Sequence, residues 1–391
     1  MSLKKTAIAM ALAGTCSFAN ANEGFYVGVG LGAVGANTKE SDSTGYGTLG
    51  QTASVGVIDA GYSAQVNKTW GVSVGATLDM NKTKLGTASA VNGYDLAFRG
   101  KDHYSVYVQP FLNLTPGAAV FGKLGYHSTK LDLASTTAGE SFSHRLNGIG
   151  YGFGVKTMLT KNAYLQAEAM WVDYRSKTVS PYDYKTQTTA GILTLGYQFD
   201  DAQPASPTSG TLGSGFYAGL GLGAVGANFS SSSIKSNWAD GQNNTVGMVD
   251  VGYAAQINPN WGVGLGATID MNETKSGEGE PGNSRVRIKD HYAVYVQPFL
   301  NLTPSTSVFG KLGYHSMKGE VSDNTFARSN SYHGVGYGLG VKTMVNRNVY
   351  LQAEATWVDY DSKTFFGTVS KIDFDYEFKT TAGVVTVGYQ F

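Results

Sequence analysis

The chain has 391 residues, a formal net charge of zero, one cysteine, 52 glycines, 24 tyrosines and 9 prolines. The balanced charge gives no indication of nucleic-acid binding, and one cysteine excludes an intrachain disulfide. Charged residues make up 15%, which is low for a fully hydrated surface, and abundant glycine and aromatic residues favour strands over helices.

The N-terminus has the pattern of a secretory signal peptide. Two lysines precede an apolar run that begins at Ala7, and Ala19-Asn20-Ala21 is a small-x-small cleavage site. The run is about a dozen residues long, which is too short to cross a bilayer as a helix. We therefore expect residues 1–21 to be removed after export, with cleavage near Ala21. A lipoprotein site at the cysteine is a weaker alternative because its flanking residues match poorly.

The rest of the sequence consists of two homologous units. The stretch DHYSVYVQPFLNLTP, residues 102–116, recurs as DHYAVYVQPFLNLTP at residues 290–304. We predict a first unit at 22–199 and a second unit at 215–391. Residues 200–214 between them are rich in Pro, Ser and Gly, which is typical of a linker.

Polar and apolar residues alternate with a period of two through each unit. From Trp70 to Met80, for example, every second residue is apolar, and the residues between are small or polar. The same test predicts eight strands in the first unit, at 25–37, 53–66, 70–82, 101–114, 119–131, 147–159, 163–176 and 187–199.

The predicted connections alternate between short turns and long polar loops. The longer ones are expected at 38–52, 83–100, 132–146 and 177–186. Short turns on one rim and long loops on the other are typical of an all-β, transmembrane, antiparallel up-and-down barrel. A soluble β-sandwich is the alternative, and the signal peptide and the rim asymmetry disfavour it.

With these features, the sequence resembles the small OmpA/OmpX-type and opacity-type outer-membrane barrel family over both units. The last strand ends in Tyr389-Gln390-Phe391. In that family an aromatic end of this kind serves as a signal for the barrel-assembly machinery, so the resemblance implies that role for Tyr389 and Phe391. It also implies a bacterial outer-membrane location, with outer-membrane lipid and the assembly machinery as partners.

The interior volume favours two tandem eight-stranded barrels over the alternative of one sixteen-stranded barrel. Inward glycines leave room for large inward residues such as Tyr107, Phe111 and Phe121. A narrow barrel is filled by such side chains, whereas they would line a wide aqueous pore poorly.

Charged residues also fall on the inward face, where they must be paired. We expect a structural salt-bridge network in each barrel; a proton or ion path, or a catalytic carboxylate set, is the alternative. Its members are Asp59, Asp79, Lys123, Lys156 and Glu168 in the first unit, and Asp250, Asp270, Lys311, Lys342 and Glu354 in the second.

Three patterns resemble chemical motifs. The glycines at 30–35 spell G-x-G-x-x-G and those at 71–75 spell G-x-S-x-G, but both lie within strands, without the strand-to-helix turn that each motif needs. His103 and His127 both point inward, so a metal pair is an alternative to membership of the polar network. We predict no cofactor, no metal and no catalytic residue.

The loops differ most between the units. Residues 364–378 contain Phe365, Phe366, Phe374, Tyr376 and Phe378, whereas their counterpart at 178–185 is shorter. These aromatics are predicted either to form a binding surface or to extend strands above the membrane.

The leading functional hypothesis is a non-enzymatic surface protein whose barrels anchor it and whose loops bind or adhere. The sequence does not identify the extracellular ligand. A porin-like passive diffusion channel, built as a single large barrel, is the second hypothesis. An outer-membrane lipid-modifying enzyme is the third.

Overall fold

The computed structural model describes residues 23–41, 46–89, 95–135, 141–179, 182–199, 211–233, 237–279, 284–324, 327–367 and 372–391. The regular elements in these ranges are β-strands that pair antiparallel. None of the described segments is a helix long and apolar enough to cross a membrane. The predicted signal peptide, residues 1–21, lies outside the described residues.

The first unit contributes ten strands. They are β1 (Gly24–Ser41), β2 (Tyr46–Gln65), β3 (Trp70–Asp79), β4 (Thr83–Ser89), β5 (Asp95–Thr115), β6 (Ala118–Ser135), β7 (Ser141–Met158), β8 (Ala163–Tyr174), β9 (Lys177–Val179) and β10 (Tyr182–Phe199). Strands β3 and β4 both pair with β5, and β8 and β9 both pair with β10. The ten strands therefore occupy eight positions around a barrel.

The second unit repeats this arrangement. Its strands are β11 (Gly215–Ser232), β12 (Asn237–Asn258), β13 (Trp261–Asp270), β14 (Thr274–Gly279), β15 (Ser284–Thr303), β16 (Thr306–Ser322), β17 (Ala327–Met344), β18 (Val349–Tyr360), β19 (Lys363–Gly367) and β20 (Ile372–Gln390). Strands β14 and β19 extend β13 and β18, as β4 and β9 do in the first unit.

Each unit closes on itself. Strand β10 pairs with β1, from Phe199 opposite Phe25 to Asp183 opposite Ser41. Strand β20 pairs with β11 in the same way. A single sixteen-stranded barrel would instead need β10 to pair with β11. The prediction of two tandem eight-stranded barrels is therefore confirmed, and the sixteen-stranded alternative is wrong.

The strands run further toward the long-loop rim than predicted. Strand β2 begins at Tyr46 rather than at residue 53, and β6 ends at Ser135 rather than at residue 131. Much of the predicted loops at 38–52 and 132–146 is therefore strand. The alternation of apolar and polar residues fades beyond the lipid, because both faces can then be polar, while the backbone pairing continues.

Pro110 and Pro298 fall mid-strand, where the loss of a backbone donor predicts a bulge, but the strand register is unbroken at both positions. Pro110 stays opposite Val72, and the pairing of β5 with β6 resumes after it in the same register. Proline removes a hydrogen-bond donor without adding a residue, so the register is kept. The register shifts lie instead near Asp102 and Asp290, which both have φ of 50°, and after Asn113 and Asn301, next to the short turns.

Large apolar side chains face outward around the half of each barrel that carries the short turns. In the first barrel the exposed ones include Phe25, Val29, Leu31, Leu78, Val106, Leu112, Leu124, Ile149 and Leu195. Trp70 and Trp261 lie near the short-turn edge of this apolar belt and are each 46% exposed. The belt is the surface expected to meet lipid, and the short-turn rim is the periplasmic one.

Candidate functional site

The interior of each barrel is filled by one set of polar and aromatic side chains, which we call the interior plug. In the first barrel it consists of Tyr26, Asp59, Tyr107, Lys123, Lys156, Tyr164, Glu168 and Gln198, all of which are buried. The period of two along each strand places all of them on the inner face.

Tyrosine hydroxyls cross the barrel in the first layer of the plug. The hydroxyls of Tyr26 and Tyr107 lie 2.7 Å apart, and Tyr107 donates a hydrogen bond of 2.6 Å to Asp59 Oδ1. A Cβ atom on Gly75 would lie 2.6 Å from the Tyr107 hydroxyl, so glycine is required there. The tyrosine therefore satisfies the buried carboxylate and fills the lumen at the same time.

Ammonium groups form the second layer. Lys123 Nζ lies 2.9 Å from Glu168 Oε2 and 4.0 Å from the centroid of the Tyr107 ring. Lys156 Nζ donates a hydrogen bond of 2.7 Å to Gln198 Oε1 and lies 4.4 Å from the centroid of the Tyr164 ring. Of the predicted network, Lys123 and Glu168 thus form a direct ion pair, while Lys156 is held by an amide and an aromatic ring.

The second barrel repeats these contacts at equivalent positions. Lys311 Nζ lies 2.6 Å from Glu354 Oε2, and Lys342 Nζ donates a hydrogen bond of 2.9 Å to Gln390 Oε1. Asp250 accepts a hydrogen bond from the hydroxyl of Tyr295. The plug is therefore a property of the repeated unit.

Above the plug, toward the extracellular rim, each barrel contains a cavity of about 70 Å³. In the first barrel a row of Asp79, His103 and His127 lines one wall. His103 Nδ1 lies 2.8 Å from Asp79, and His103 Nε2 lies 3.1 Å from His127 Nδ1. The opposite wall is apolar and includes Val55 and Ile192.

The second barrel contains the equivalent row, Asp270, His291 and His315. His291 lies 2.9 Å from Asp270 and 3.0 Å from His315. Among the described residues, no group of three or more His, Cys, Asp or Glu side chains is arranged to hold a metal ion. Within each pair the two histidine rings are hydrogen-bonded, and the first histidine lies within ion-pair distance of its aspartate.

The aromatic residues predicted on a loop lie on the β19–β20 hairpin. Phe366 is 54% exposed, and Phe365 packs against Tyr376 with ring centroids 5.1 Å apart. Residue Phe374 lies opposite Phe365. These residues therefore lie on paired strands above the apolar belt, and their role in a binding surface stays a prediction.

Phe378 is not a surface residue at all, because it is fully buried inside the second barrel. It packs against Phe229 and Tyr332, two interior residues that the sequence reasoning missed. The signal for these residues is a sequence difference between the two units. Thr38 and Thr186 occupy, in the first barrel, the positions that Phe229 and Phe378 occupy in the second.

An ion pair lies at the backbone irregularity of each barrel, above the apolar belt. Lys318 Nζ lies 2.8 Å from Asp290 Oδ2, and Lys130 Nζ lies 3.2 Å from Asp102 Oδ2. The hydrogen bond from Lys318 holds the pKa of the Asp290 carboxyl below its usual value. Because these side chains are exposed, the pairs contribute little to stability.

The predicted assembly signal, Tyr389 and Phe391, lies at the closing strand of the second barrel. Phe391 donates its backbone N–H to Phe216 O across 2.8 Å, and its ring lies 5.0 Å from that of Tyr389. Tyr197 and Phe199 repeat this ring contact at 5.0 Å in the first barrel. The side chains of Phe391 and Phe199 are exposed on the outer face.

Several solved structures are similar to the chain. Ail, the attachment invasion locus protein of Yersinia pestis, is 20% identical, with a TM-score of 0.29, over 45% of this chain and 99% of that chain. Neisserial surface protein A is 20% identical, with a TM-score of 0.26, over 47% and 100%. A FadL homologue of Pseudomonas aeruginosa is 8% identical, with a TM-score of 0.33, over 94% and 90%.

No curated protein sequence matches the chain. The family model described as outer membrane protein beta-barrel domain matches residues 6–199 and again residues 202–391. The two matches agree with the two closed barrels and confirm the predicted duplication. The chain therefore belongs to the outer membrane protein beta-barrel domain family, carries two copies of the domain, and is a protein of the bacterial outer membrane.

Proposed function

We propose that the chain is a non-enzymatic surface protein that does not conduct. Its two barrels anchor it in the outer membrane, and the strand extensions above the belt bind partners outside the cell. The interior plug is the observation that carries this proposal.

The plug leaves little room for a solute. Within the plug, Tyr164, which is 1% exposed, packs against Tyr26. Phe111 packs against Phe121 in a further interior cluster. An eight-stranded barrel is only wide enough to be filled by its own side chains. The cavities above the plug, at about 70 Å³ each, hold a few water molecules. A permeating ion would have to displace buried pairs such as Lys123 and Glu168.

The strand extensions supply the external surface. Strand β5 has 21 residues and β12 has 22, whereas a tilted strand needs about 9–11 residues to cross the membrane. The β19–β20 hairpin presents Phe366 at its surface, and the Arg328 guanidinium lies 5.1 Å from the Phe365 ring centroid. Aromatic residues and arginine are enriched at protein interfaces relative to the rest of the surface.

We propose that the chain reaches the outer membrane by export and assisted insertion. The signal peptide at 1–21 directs export, and the assembly machinery recognises the strand that carries Tyr389 and Phe391. The exposure of the Phe391 side chain on the outer face supports this role, since a recognition residue must be accessible.

Conductance tests the closed lumen. Purified full-length protein inserted into planar bilayers is expected to be electrically silent. A variant that carries Tyr107→Ala, Lys123→Ala and Glu168→Ala, which empties the first plug, is expected to show current and so serves as the positive control. Stepwise current from the wild type would support the channel hypothesis instead. A change in the mass of lipid A in producing cells would support the enzyme hypothesis.

Attachment tests the binding surface. Cells that display the wild type are compared with cells that display Phe365→Ser and Phe366→Ser on surfaces coated with a panel of glycans and proteins. Phe25→Ser, in the apolar belt, is the control variant. We expect the hairpin variant to lose attachment that the wild type and the control retain. Equal attachment by empty cells and wild-type cells on every surface would contradict a binding role.

A further inference from the structure

One side of each barrel carries a patch of small outward residues that interrupts the apolar belt. In the first barrel this side is formed by β1, β2, β8 and β10, and its outward residues include Ala33, Gly35, Ala167 and Gly191. Ala33 is 1% exposed and Ala167 is 3% exposed, although both point away from the lumen. Outward residues are buried here because the second barrel covers them. We call this surface the small-residue face.

Glycines of the two small-residue faces meet in pairs. Gly35 contacts Gly226, Gly50 contacts Gly241, and Gly191 contacts Gly383. A Cβ atom added to any of these six glycines would overlap the backbone of its partner. The backbones of the two barrels therefore approach as closely as paired transmembrane helices with small-residue motifs do.

Each glycine meets its own counterpart in the repeat. Gly35 lies opposite Thr189 in the first barrel, and Gly226 lies opposite Thr381 in the second, at the same step of the closing strand pair. An apolar cluster repeats the pattern, with Val155, Leu165 and Ala167 packed against their counterparts Val341, Leu351 and Ala353. Counterparts can meet at several heights only if a twofold axis runs parallel to the barrel axes.

Polar contacts close the interface at both ends. Near the periplasmic rim, the hydroxyls of Thr157 and Thr306 lie 3.1 Å apart, and both residues are buried. Toward the extracellular rim, Asn243 Nδ2 donates a hydrogen bond of 3.3 Å to Asn37 Oδ1. Above it, the backbone of Ala88 on β4 pairs with that of Trp238 on β12.

Two barrels joined only by a flexible linker would not need to make these contacts. Within a bilayer, apolar surfaces gain no hydrophobic free energy by meeting, so association depends on close packing and on satisfied polar groups. The small-residue face provides both, along the whole height of the barrels.

We propose that the small-residue face is a self-complementary interface that holds the two barrels together as a fixed pair and excludes lipid between them. The partner is the other barrel of the same chain. The alternative is two barrels that drift apart on the linker, with lipid between them. This inference does not depend on the proposed surface role, because a conducting chain could be paired in the same way.

Cysteine cross-linking in the full-length chain tests the pair. The variant Cys16→Ala, Thr157→Cys, Thr306→Cys places two thiols across the interface, where the native hydroxyls are within disulfide reach. The matched control replaces Leu124 and Leu312, equivalent exposed positions of the apolar belt, with cysteine. Both variants are oxidised in outer-membrane preparations, and free thiols are counted after denaturation.

We expect near-complete loss of free thiols in the Thr157/Thr306 variant, with no intrachain disulfide in the Leu124/Leu312 control. Equal cross-linking of the two variants, or none in either, would overturn the fixed pair. Heat-modifiable migration of both proteins on a gel shows that the barrels are folded.

A second pair of variants tests the glycine contacts in the same cross-linking background. Gly191→Leu is expected to reduce the disulfide yield, because the added side chain has no space against Gly383. Gly122→Leu is the control, since nothing lies within 4 Å of a Cβ atom there. Equal yields in the two variants would show that close glycine packing does not hold the barrels together.

Discussion

The deep interiors of the two barrels are nearly identical, whereas their upper interiors differ. Lys123 and Glu168 recur as Lys311 and Glu354 with the same ion pair. Toward the extracellular rim, the first barrel has a hydrogen bond of 3.0 Å between the hydroxyls of Thr38 and Thr186.

The second barrel has two phenylalanines at those positions. The rings of Phe229 and Phe378 lie 4.9 Å apart, and the Tyr332 ring lies 4.8 Å from that of Phe378. Side chains within the membrane must match each other in charge and volume, so a change in one requires a change in its partner. Nearer the rim, polar and aromatic fillings can replace each other, which leaves that region free to diverge.

The largest effect is expected when the shared ion pair is broken. Glu168→Leu and Glu354→Leu should each lower the free energy of unfolding by about 3–5 kcal/mol, because each leaves a buried ammonium group unpaired. Urea titration of the folded protein in lipid vesicles measures this loss. The double variant Lys123→Met, Glu168→Leu should lose less, since it leaves no unpaired charge. A large loss in one barrel and none in the other would contradict equivalent plugs.

Two substitutions at the position where the upper interiors differ are expected to lower stability by unequal amounts. Phe378→Ala should cost about 3–4 kcal/mol, because it opens a cavity among buried aromatic rings. Thr186→Ala, at the same place in the first barrel, should cost about 1 kcal/mol for one lost hydrogen bond. The same urea titration compares them. Equal costs would show that the two upper interiors are energetically alike despite their different side chains.

The smallest expected effect is a pH dependence of stability that arises in the second barrel and not in the first. Asp240 on β12 lies above the belt, and Thr48 Oγ1 donates a hydrogen bond of 3.4 Å to it, whereas its counterpart in the first barrel is Leu49. Burial raises the pKa of the Asp240 carboxyl well above its usual value, and the bond from Thr48 lowers it only in part. The folded protein therefore binds this proton more tightly than the unfolded chain does.

It follows that the stabilising contribution of Asp240 is complete below the unfolded pKa of about 4 and is lost as the pH rises toward the folded value. Asp240→Asn should remove this dependence. Thermal unfolding of the wild type and the variant, measured from pH 4 to about pH 8, is expected to diverge as the pH rises. Parallel curves would show that the carboxyl titrates normally, and Leu49→Asn is the matched control in the first barrel.

Period-two alternation was sufficient to predict the inner face, and the volume of the side chains on that face predicted the number of barrels. Asp59, Lys123 and Glu168 were placed inward by position along their strands, and the volume of inward aromatics favoured narrow barrels. Which partner each charge contacts depends on the stagger between strands, which alternation does not encode. Lys156 therefore pairs with Gln198 rather than with a carboxylate.

The outer face was harder to predict for a physical reason. Gly35 and Gly191 point outward without breaking the alternation of polar and apolar residues, because glycine fits either class. The alternation therefore does not distinguish them from lipid-facing residues. Only their grouping on the closing pair, β1 and β10, distinguishes them, and that grouping requires the ring order of the strands. The strand extensions within 38–52 and 132–146 were not predicted, because backbone pairing continues where the apolar pattern stops.

The closure of each barrel on itself also determines how the number of barrels in such a chain can increase. The closing pair of the first barrel joins Phe25 to Phe199, and that of the second joins Tyr217 to Gln390, so neither barrel borrows a strand from the other to complete its ring. A duplicated copy therefore adds no unpaired strand edge, the feature that makes incomplete sheets prone to aggregate. Copy number can change one whole barrel at a time, whereas a larger ring would have to open before it could widen.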